Sequence, residues 1–193
     1  LVALELVAEE VEAVRTAAGA YEIAQYARYE VTGPGAAAWL DHLVASRLPE
    51  TGRIRLAPML GEAGRLMGDL SITRFEDDRF WLTGSYYLQD WHQRWFRAQM
   101  PEGGVALRNI TDLWMGFSVS GPTSRGILAD LVHEDVANDT FPFMTVRQMD
   151  VGSSHQAVVG RIWLTGELGY EIVVPTDPHL TLWQQLREAG RPK

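Results

Sequence analysis

Val31-Thr32-Gly33-Pro34, followed by Leu40 and Leu43, returns later in the chain as Val119-Ser120-Gly121-Pro122, followed by Leu128 and Leu131. The two copies match at six positions under one spacing, one of them a Thr/Ser exchange. Each reads as strand, Gly-Pro turn, helix. Glycine frees the backbone at the turn, and proline suits a first helical turn, where its missing N–H has no partner to lose. Leucines three apart share one face of the helix that follows.

Working outward, each copy leads to a hairpin pattern. In the first, Asp69-Leu-Ser-Ile-Thr-Arg-Phe75 faces Phe80-Trp-Leu-Thr83 across Glu76-Asp-Asp-Arg79. In the second, Arg161-Ile-Trp-Leu-Thr165 faces Tyr170-Glu-Ile-Val-Val174 across Gly166-Glu-Leu-Gly169. Both place β-branched and aromatic residues around short polar or glycine-containing turns. The expected architecture is α+β, with two similar halves at about 20–100 and 105–190 and a site of the kind that forms between such halves. A helix is expected over Val7–Ala18 with Gly19 as its stop, and an extended segment over Tyr29-Glu30-Val31. Between the halves, Trp91, Trp95 and Phe96 recur at helical spacing and read as core, with a stacking platform for a flat ring as the alternative.

Composition narrows the function classes. The chain has 193 residues, 46% of them hydrophobic, enough for a full core. Cysteine is absent, so disulfides, thiolate metal sites and a cysteine nucleophile are excluded, which fits a cytoplasmic location. A net charge of −8 argues against nucleic acid as a partner. No apolar run reaches membrane-spanning length, and no membrane partner is expected. The first residue is Leu1, so an N-terminal portion is expected to have been removed or to lie elsewhere in a longer polypeptide.

Other chemistries lack their motifs. Neither a P-loop nor a Gly-x-Gly-x-x-Gly opening a helix occurs. His42, His92, His133, His155 and His179 form no metal-ligand pair and are expected at the surface or at element ends, so no metal site is expected. Ser153-Ser154-His155 sets a hydroxyl beside an imidazole, but neighbours on an extended segment point to opposite faces. Glu134, Asp135 and Asp139 read as a solvated connection, and Arg53, Arg55 and Arg65 as surface arginines.

Pro58-Met-Leu-Gly-Glu-Ala-Gly64-Arg-Leu-Met-Gly-Asp69-Leu-Ser71 resembles a turn and Asp-Leu strand of the glycine-cleavage T-protein (aminomethyltransferase) superfamily. Leu164-Thr-Gly-Glu167-Leu-Gly-Tyr-Glu171 is similar to that family's Thr-Gly-Glu hairpin. Val119-Ser-Gly-Pro-Thr-Ser-Arg125-Gly-Ile-Leu128, Phe141-Pro-Phe143 and Leu182-Trp-Gln-Gln-Leu-Arg-Glu-Ala-Gly190 match in the same order. The wording is nearest to the C-terminal folate domain of dimethylglycine and sarcosine dehydrogenases or oxidases. One aminomethyltransferase-type domain over 1–193 is implied.

The resemblance implies tetrahydrofolate as cofactor and one-carbon (aminomethyl or iminium) transfer as the activity, in glycine cleavage or N-methyl amine catabolism. The implied partners are a small amine donor and a flavoprotein domain or subunit. It implies Asp69 as the catalytic group, near the folate nitrogen that receives the carbon; a carboxylate can take the proton that amine must lose. Ser71, Thr83, Gly84, Glu167, Leu168 and Gly169 are implied as cofactor-binding, with Glu167 pairing the amidine-like pterin edge in bidentate fashion and main chain at Leu168 and Gly169 approaching the ring. Without the resemblance, Asp69 reads as a turn residue after a glycine and Glu167 as a hairpin tip. Many relatives carry Tyr where this chain has Leu56 and Leu164, so weaker folate binding or altered substrate choice is expected. Relatives continue past the position of Lys193 into a further segment with a folate-contacting Arg and a small β-barrel, expected to be absent here, so that a partner or a missing segment would have to close the pocket. The alternative functions are a non-catalytic folate-binding or assembly module and a folate-dependent O- or S-demethylase.

Overall fold

A computed structural model describes residues 2–163 and 165–191. The elements are α1 (Val2–Thr16), β1 (Gly19–Glu22), β2 (Tyr26–Thr32), α2 (Ala36–Leu43), β3 (Arg53–Leu60), β4 (Leu66–Glu76), β5 (Arg79–Ser85), α3 (Gln89–Gln99), β6 (Ala106–Asn109), β7 (Trp114–Ser120), α4 (Ser124–Ala129), β8 (Val146–Val151), β9 (Ser154–Gly160), β10 (Gly169–Pro175) and α5 (His179–Ala189). They form two antiparallel sheets, β1-β7-β10-β9-β8 and β3-β4-β5-β2-β6. The fold is α+β, as the repeat implied.

The chain divides into two compact units. One is Gln25–Leu113; the other joins Leu1–Ala24 to Trp114–Lys193. In Gln25–Leu113, alternation sends Ala27, Tyr29 and Val31 of β2, Leu70 and Ile72 of β4, and Phe80 and Leu82 of β5 to one face. There they meet Trp39, Leu40 and Leu43 of α2 and Phe96 of α3. The other unit repeats the plan, with Phe117 and Val119 of β7, Tyr170, Ile172 and Val174 of β10, Leu128 of α4 and Leu182 and Leu186 of α5. Leu40 is fully buried, and Leu40→Ala is expected to cost about 2–5 kcal/mol in a urea melt.

The repeat extends further than its Gly-Pro core. Each Gly-Pro strand pairs with a short strand: β2 with β6 (Val31↔Leu107, Thr32↔Ala106) and β7 with β1 (Val119↔Ala20, Ser120↔Gly19). In each copy the glycine is left-handed, at φ +113° for Gly33 and +126° for Gly121. Its missing side chain leaves room for a carbonyl: a Cβ would lie 2.6 Å from the Gly104 oxygen at Gly33 and 2.5 Å from the Ala17 oxygen at Gly121. That same carbonyl accepts from the amide two residues on, Gly35 (2.8 Å) or Thr123 (3.0 Å). Pro34 and Pro122 precede their helices, at the second position of a turn closed by Ala36 N–H to Gly33 and Ser124 N–H to Gly121. Proline's fixed φ suits that position too.

Three expectations need correction. The first hairpin forms as expected (Ser71↔Thr83 to Arg74↔Phe80), but in the second the strand is β9, which ends at Gly160 and pairs through Val158–Gly160. Arg161 lies just past the end of that strand, where its main chain bonds Thr145 and Met144 and its guanidinium bonds the Phe141 carbonyl at 2.6 Å. Leu164, counted in that expected strand, lies outside the described residues. The first helix spans Val2–Thr16, and Gly19 begins a strand. In α3, Phe96 is core and Trp95 packs beside it, but Trp91 is 40% exposed and its indole N–H donates to the Met67 carbonyl at 2.9 Å. No helix among the described residues is long and apolar enough to cross a membrane.

Candidate functional site

Asp69, Ser71, Thr83 and Gly84 lie in Gln25–Leu113, on β4 and β5. Pleating divides them. Asp69, Ser71 and Thr83 face away from the Leu70–Ile72 side that enters the core. Ser71 and Thr83 are direct cross-strand partners, and the row continues to Leu56 on β3 and Arg28 on β2. Leu56, 64% exposed, extends an apolar side chain beside the two hydroxyls. Asp69 stands one pleat along β4, opposite Pro58. It is exposed, and it takes part in none of the ion pairs among the described residues. Such a carboxylate is available to a cation or to a proton being released.

Gly84 has a different place. It pairs with Ala27 in the core register, where a Cβ would lie 2.6 Å from Leu70 Cδ2 and 3.0 Å from His92 Cε1. At Gly68 a Cβ would lie 2.9 Å from His92 Nε2. The two glycines make space for His92 of α3. Expected at the surface or an element end, it is instead fully buried, stacked on Phe96 (5.9 Å between ring centres) and edge-on to Tyr29 (6.2 Å). Neither ring nitrogen has a hydrogen-bond partner among the described residues. Burial holds its pKa below the usual histidine value, and the Asp69 carboxylate opposes that shift.

A depressed histidine pKa has a definite sign in stability. Above about pH 6.5 both states are neutral at this site. Below it the unfolded chain binds the proton first, so stability falls with pH. His92→Phe is expected to flatten that acid-side fall, read from urea midpoints between pH 7 and pH 5; an unchanged slope would assign the fall to other groups.

Glu167, Leu168 and Gly169 belong to the other unit, the first two in the segment between Gly160 and β10 and Gly169 at the start of β10. The Thr165 hydroxyl donates to Glu167 Oε2, and Arg15 Nη2 of α1 lies 4.0 Å from Oε1. The hydroxyl bond, a backbone bond and the guanidinium hold the Glu167 carboxyl below its ordinary pKa, so it is a carboxylate at neutral pH. Arg15, Pro122, Thr165, Gly166, Glu167 and Leu168 line an open cavity of about 350 Å³. That volume lies at the small end of ligand sites. Main-chain participation by Leu168 and Gly169 meets an obstacle. The Leu168 carbonyl already accepts from Gly121 N–H (2.8 Å) and Ser124 Oγ (3.1 Å), and Gly169 is buried against Ser120. Sequence reasoning missed Arg15 and the burial of His92; Gly68, beside the expected site, and Gly84, within it, were the available signal for a close neighbour.

Two hydroxyls and an exposed carboxylate on one sheet face, and an ionised glutamate in a cavity beside a Gly-Pro turn, give each unit its own polar cluster. Residues 3–193 match the family model described as the GCVT N-terminal domain, and the chain belongs to that family. It is 33% identical over 195 residues to sarcosine oxidase subunit alpha of Rhizobium meliloti (strain 1021), covering 97% of this chain and 20% of that protein. It is 30% identical over 191 residues to mitochondrial dimethylglycine dehydrogenase of Mus musculus, covering 97% and 22%. The chain thus spans about a fifth of the length of these relatives. The structure of aminomethyltransferase T of the glycine cleavage system from Bartonella henselae superposes with a TM-score of 0.81 at 22% identity, covering 92% of this chain and 47% of that one. It shows the same fold.

Proposed function

We propose that this domain transfers a one-carbon unit from an aminomethyl or iminium donor to tetrahydrofolate, with Asp69 as base or electrostatic stabiliser and Glu167 as the pterin anchor. The observation that carries the reading is Asp69: an exposed carboxylate outside every ion pair among the described residues, one pleat from the Ser71–Thr83 hydroxyl pair, in a chain of this family. The residues present fit the cofactor. Glu167, ionised and lining the 350 Å³ cavity, can accept two parallel N–H donors in place of its 4.0 Å contact with Arg15. Tetrahydrofolate, when bound, would supply the amine that takes up the carbon to give 5,10-methylenetetrahydrofolate, and the donor's nitrogen would leave as the free amine. Asp69 receives or holds the proton leaving that amine, and Ser71 and Thr83 present hydroxyls along the same sheet face. The donor arises by oxidation of an N-methyl amine on a flavoprotein domain or subunit, the arrangement suggested by relatives named as sarcosine oxidase and dimethylglycine dehydrogenase.

Calorimetry with tetrahydrofolate paired with a turnover assay tests the reading. Glu167→Gln keeps the shape but removes the charge, and is expected to weaken tetrahydrofolate binding by about tenfold to a hundredfold. Unchanged binding would take the anchor role from Glu167. A second reading, a folate-binding module without catalysis, draws on the exposed Leu56 in the Ser71–Thr83 row, which brings no hydrogen bond to a ligand. Tight binding without turnover in the presence of a competent donor would favour it.

A further inference from the structure

We propose that Asn138, clasped by Arg125 and Arg161, is a positioning residue that ties together the two stems of the segment bearing Glu167. The proposal rests on the folate reading only for what Glu167 binds. The first stem is Arg161, where the chain leaves β9; the second is Gly169-Tyr170, where it enters β10. Asn138 Oδ1 accepts from Arg161 Nη2 at 2.7 Å and also from Arg125 Nη2. Arg125 Nε in turn donates to the hydroxyl of the fully buried Tyr170 at 3.2 Å. One amide oxygen therefore links both stems.

The first stem depends on this link more than the second. Leu168 and Gly169 are held by Gly121, Ser124 and Ser120, in the manner of the first hairpin, where Gly33 N–H bonds the Asp78 carbonyl at 3.0 Å. The first hairpin crosses from Thr73 to Arg79 through a tight turn, whereas the equivalent crossing from Gly160 to Gly169 is longer and leaves the sheet. A longer segment has more conformations to lose, and Glu167 sits within it. Arg161 offsets that freedom: buried, bonded through Nη1 to the Phe141 carbonyl, and bonded through its main chain to Met144 and Thr145.

The chemistry is unusual for a merely stabilising contact. Two guanidinium groups converge on one neutral oxygen, and among the described residues neither has a carboxylate within 4.0 Å. Asn138 itself is exposed, so it contributes little packing. Its distinct contribution is a fixed acceptor at the meeting point of two charge-assisted bonds.

The test compares the full chain as wild type, Asn138→Ala and Asn138→Asp. In the unliganded protein, Asn138→Ala is expected to speed amide exchange in 161–163 and 165–168 by about tenfold, with β7 and β10 amides unchanged. Tetrahydrofolate Kd is expected to rise by a similar factor, about tenfold, with turnover at saturation within about twofold. Asn138→Asp, which still offers an oxygen to both arginines, should restore exchange and Kd. Wild-type exchange in Asn138→Ala, or equal loss in Asn138→Ala and Asn138→Asp, overturns the proposal. So does a loosened segment with unchanged Kd. If wild type binds no tetrahydrofolate, the folate reading fails, and exchange in the free protein still decides whether Asn138 ties the stems.

Discussion

Asp69→Asn is expected to leave tetrahydrofolate binding within about threefold of wild type while slowing one-carbon transfer by about 10²–10⁴-fold, the usual range for a positioned acid–base group. The asymmetry follows from where Asp69 stands. It is exposed at the edge of the β4–β5 pairing, outside the core and outside every ion pair among the described residues, so the amide removes no contact that supports the fold. Asparagine keeps the size and one acceptor oxygen but cannot take a proton or balance a developing positive charge. Single-turnover transfer with pre-bound tetrahydrofolate isolates the chemical step, and calorimetry gives the binding term. Transfer at the wild-type rate would remove Asp69 from the chemistry; an equal loss in binding and rate would make it a ligand contact only.

Gly121→Ala is expected to be among the most destabilising small substitutions in the chain, with Gly33→Ala close behind. A left-handed backbone that alanine resists costs roughly 1–3 kcal/mol, and forcing a methyl into filled space costs about 1–3 kcal/mol more. At Gly121 that methyl meets three backbone atoms, Ala17 O at 2.5 Å, Val14 O at 2.6 Å and Ala18 Cα at 2.7 Å; at Gly33 it meets Gly104 O at 2.6 Å. Backbone cannot rotate aside as a side chain can. Gly52 supplies the control: its φ is +78°, but nothing lies within 4 Å of a Cβ, so Gly52→Ala should carry the conformational cost alone. Urea midpoints of the three variants separate the two terms. Equal losses at Gly121 and Gly52 would show that the close approach to the Ala17 carbonyl contributes nothing.

The same glycines mark how much could be read without coordinates. A glycine-proline turn between a strand and a helix is a local event, encoded within a few residues, so both copies and the α+β class were legible in the sequence. The first hairpin was legible for the same reason: its strands are separated only by a short polar turn, and Ser71↔Thr83 follows from alternation once the turn is placed. The order of motifs likewise led to the family that residues 3–193 match.

What the chain does at a distance was not legible. β1 pairs with β7, and β6 with β2, across long stretches of sequence, and nothing local distinguishes these partners from others. Arg161 reads as a strand residue by pattern, yet it lies beyond the end of β9, with its side chain on the Phe141 carbonyl and Asn138. His92 reads as a residue at the surface or at an element end, yet the absence of side chains at Gly68 and Gly84 opens a buried place for it. By itself, then, the sequence determined the turns, the strand alternation and the chemical types at positions 69, 71, 83 and 167, because each depends on neighbours along the chain. Only the tertiary structure decided which partners those residues meet. Hydrogen bonds and close packing between distant segments are set by the three-dimensional path of the backbone, not by spacing in the chain.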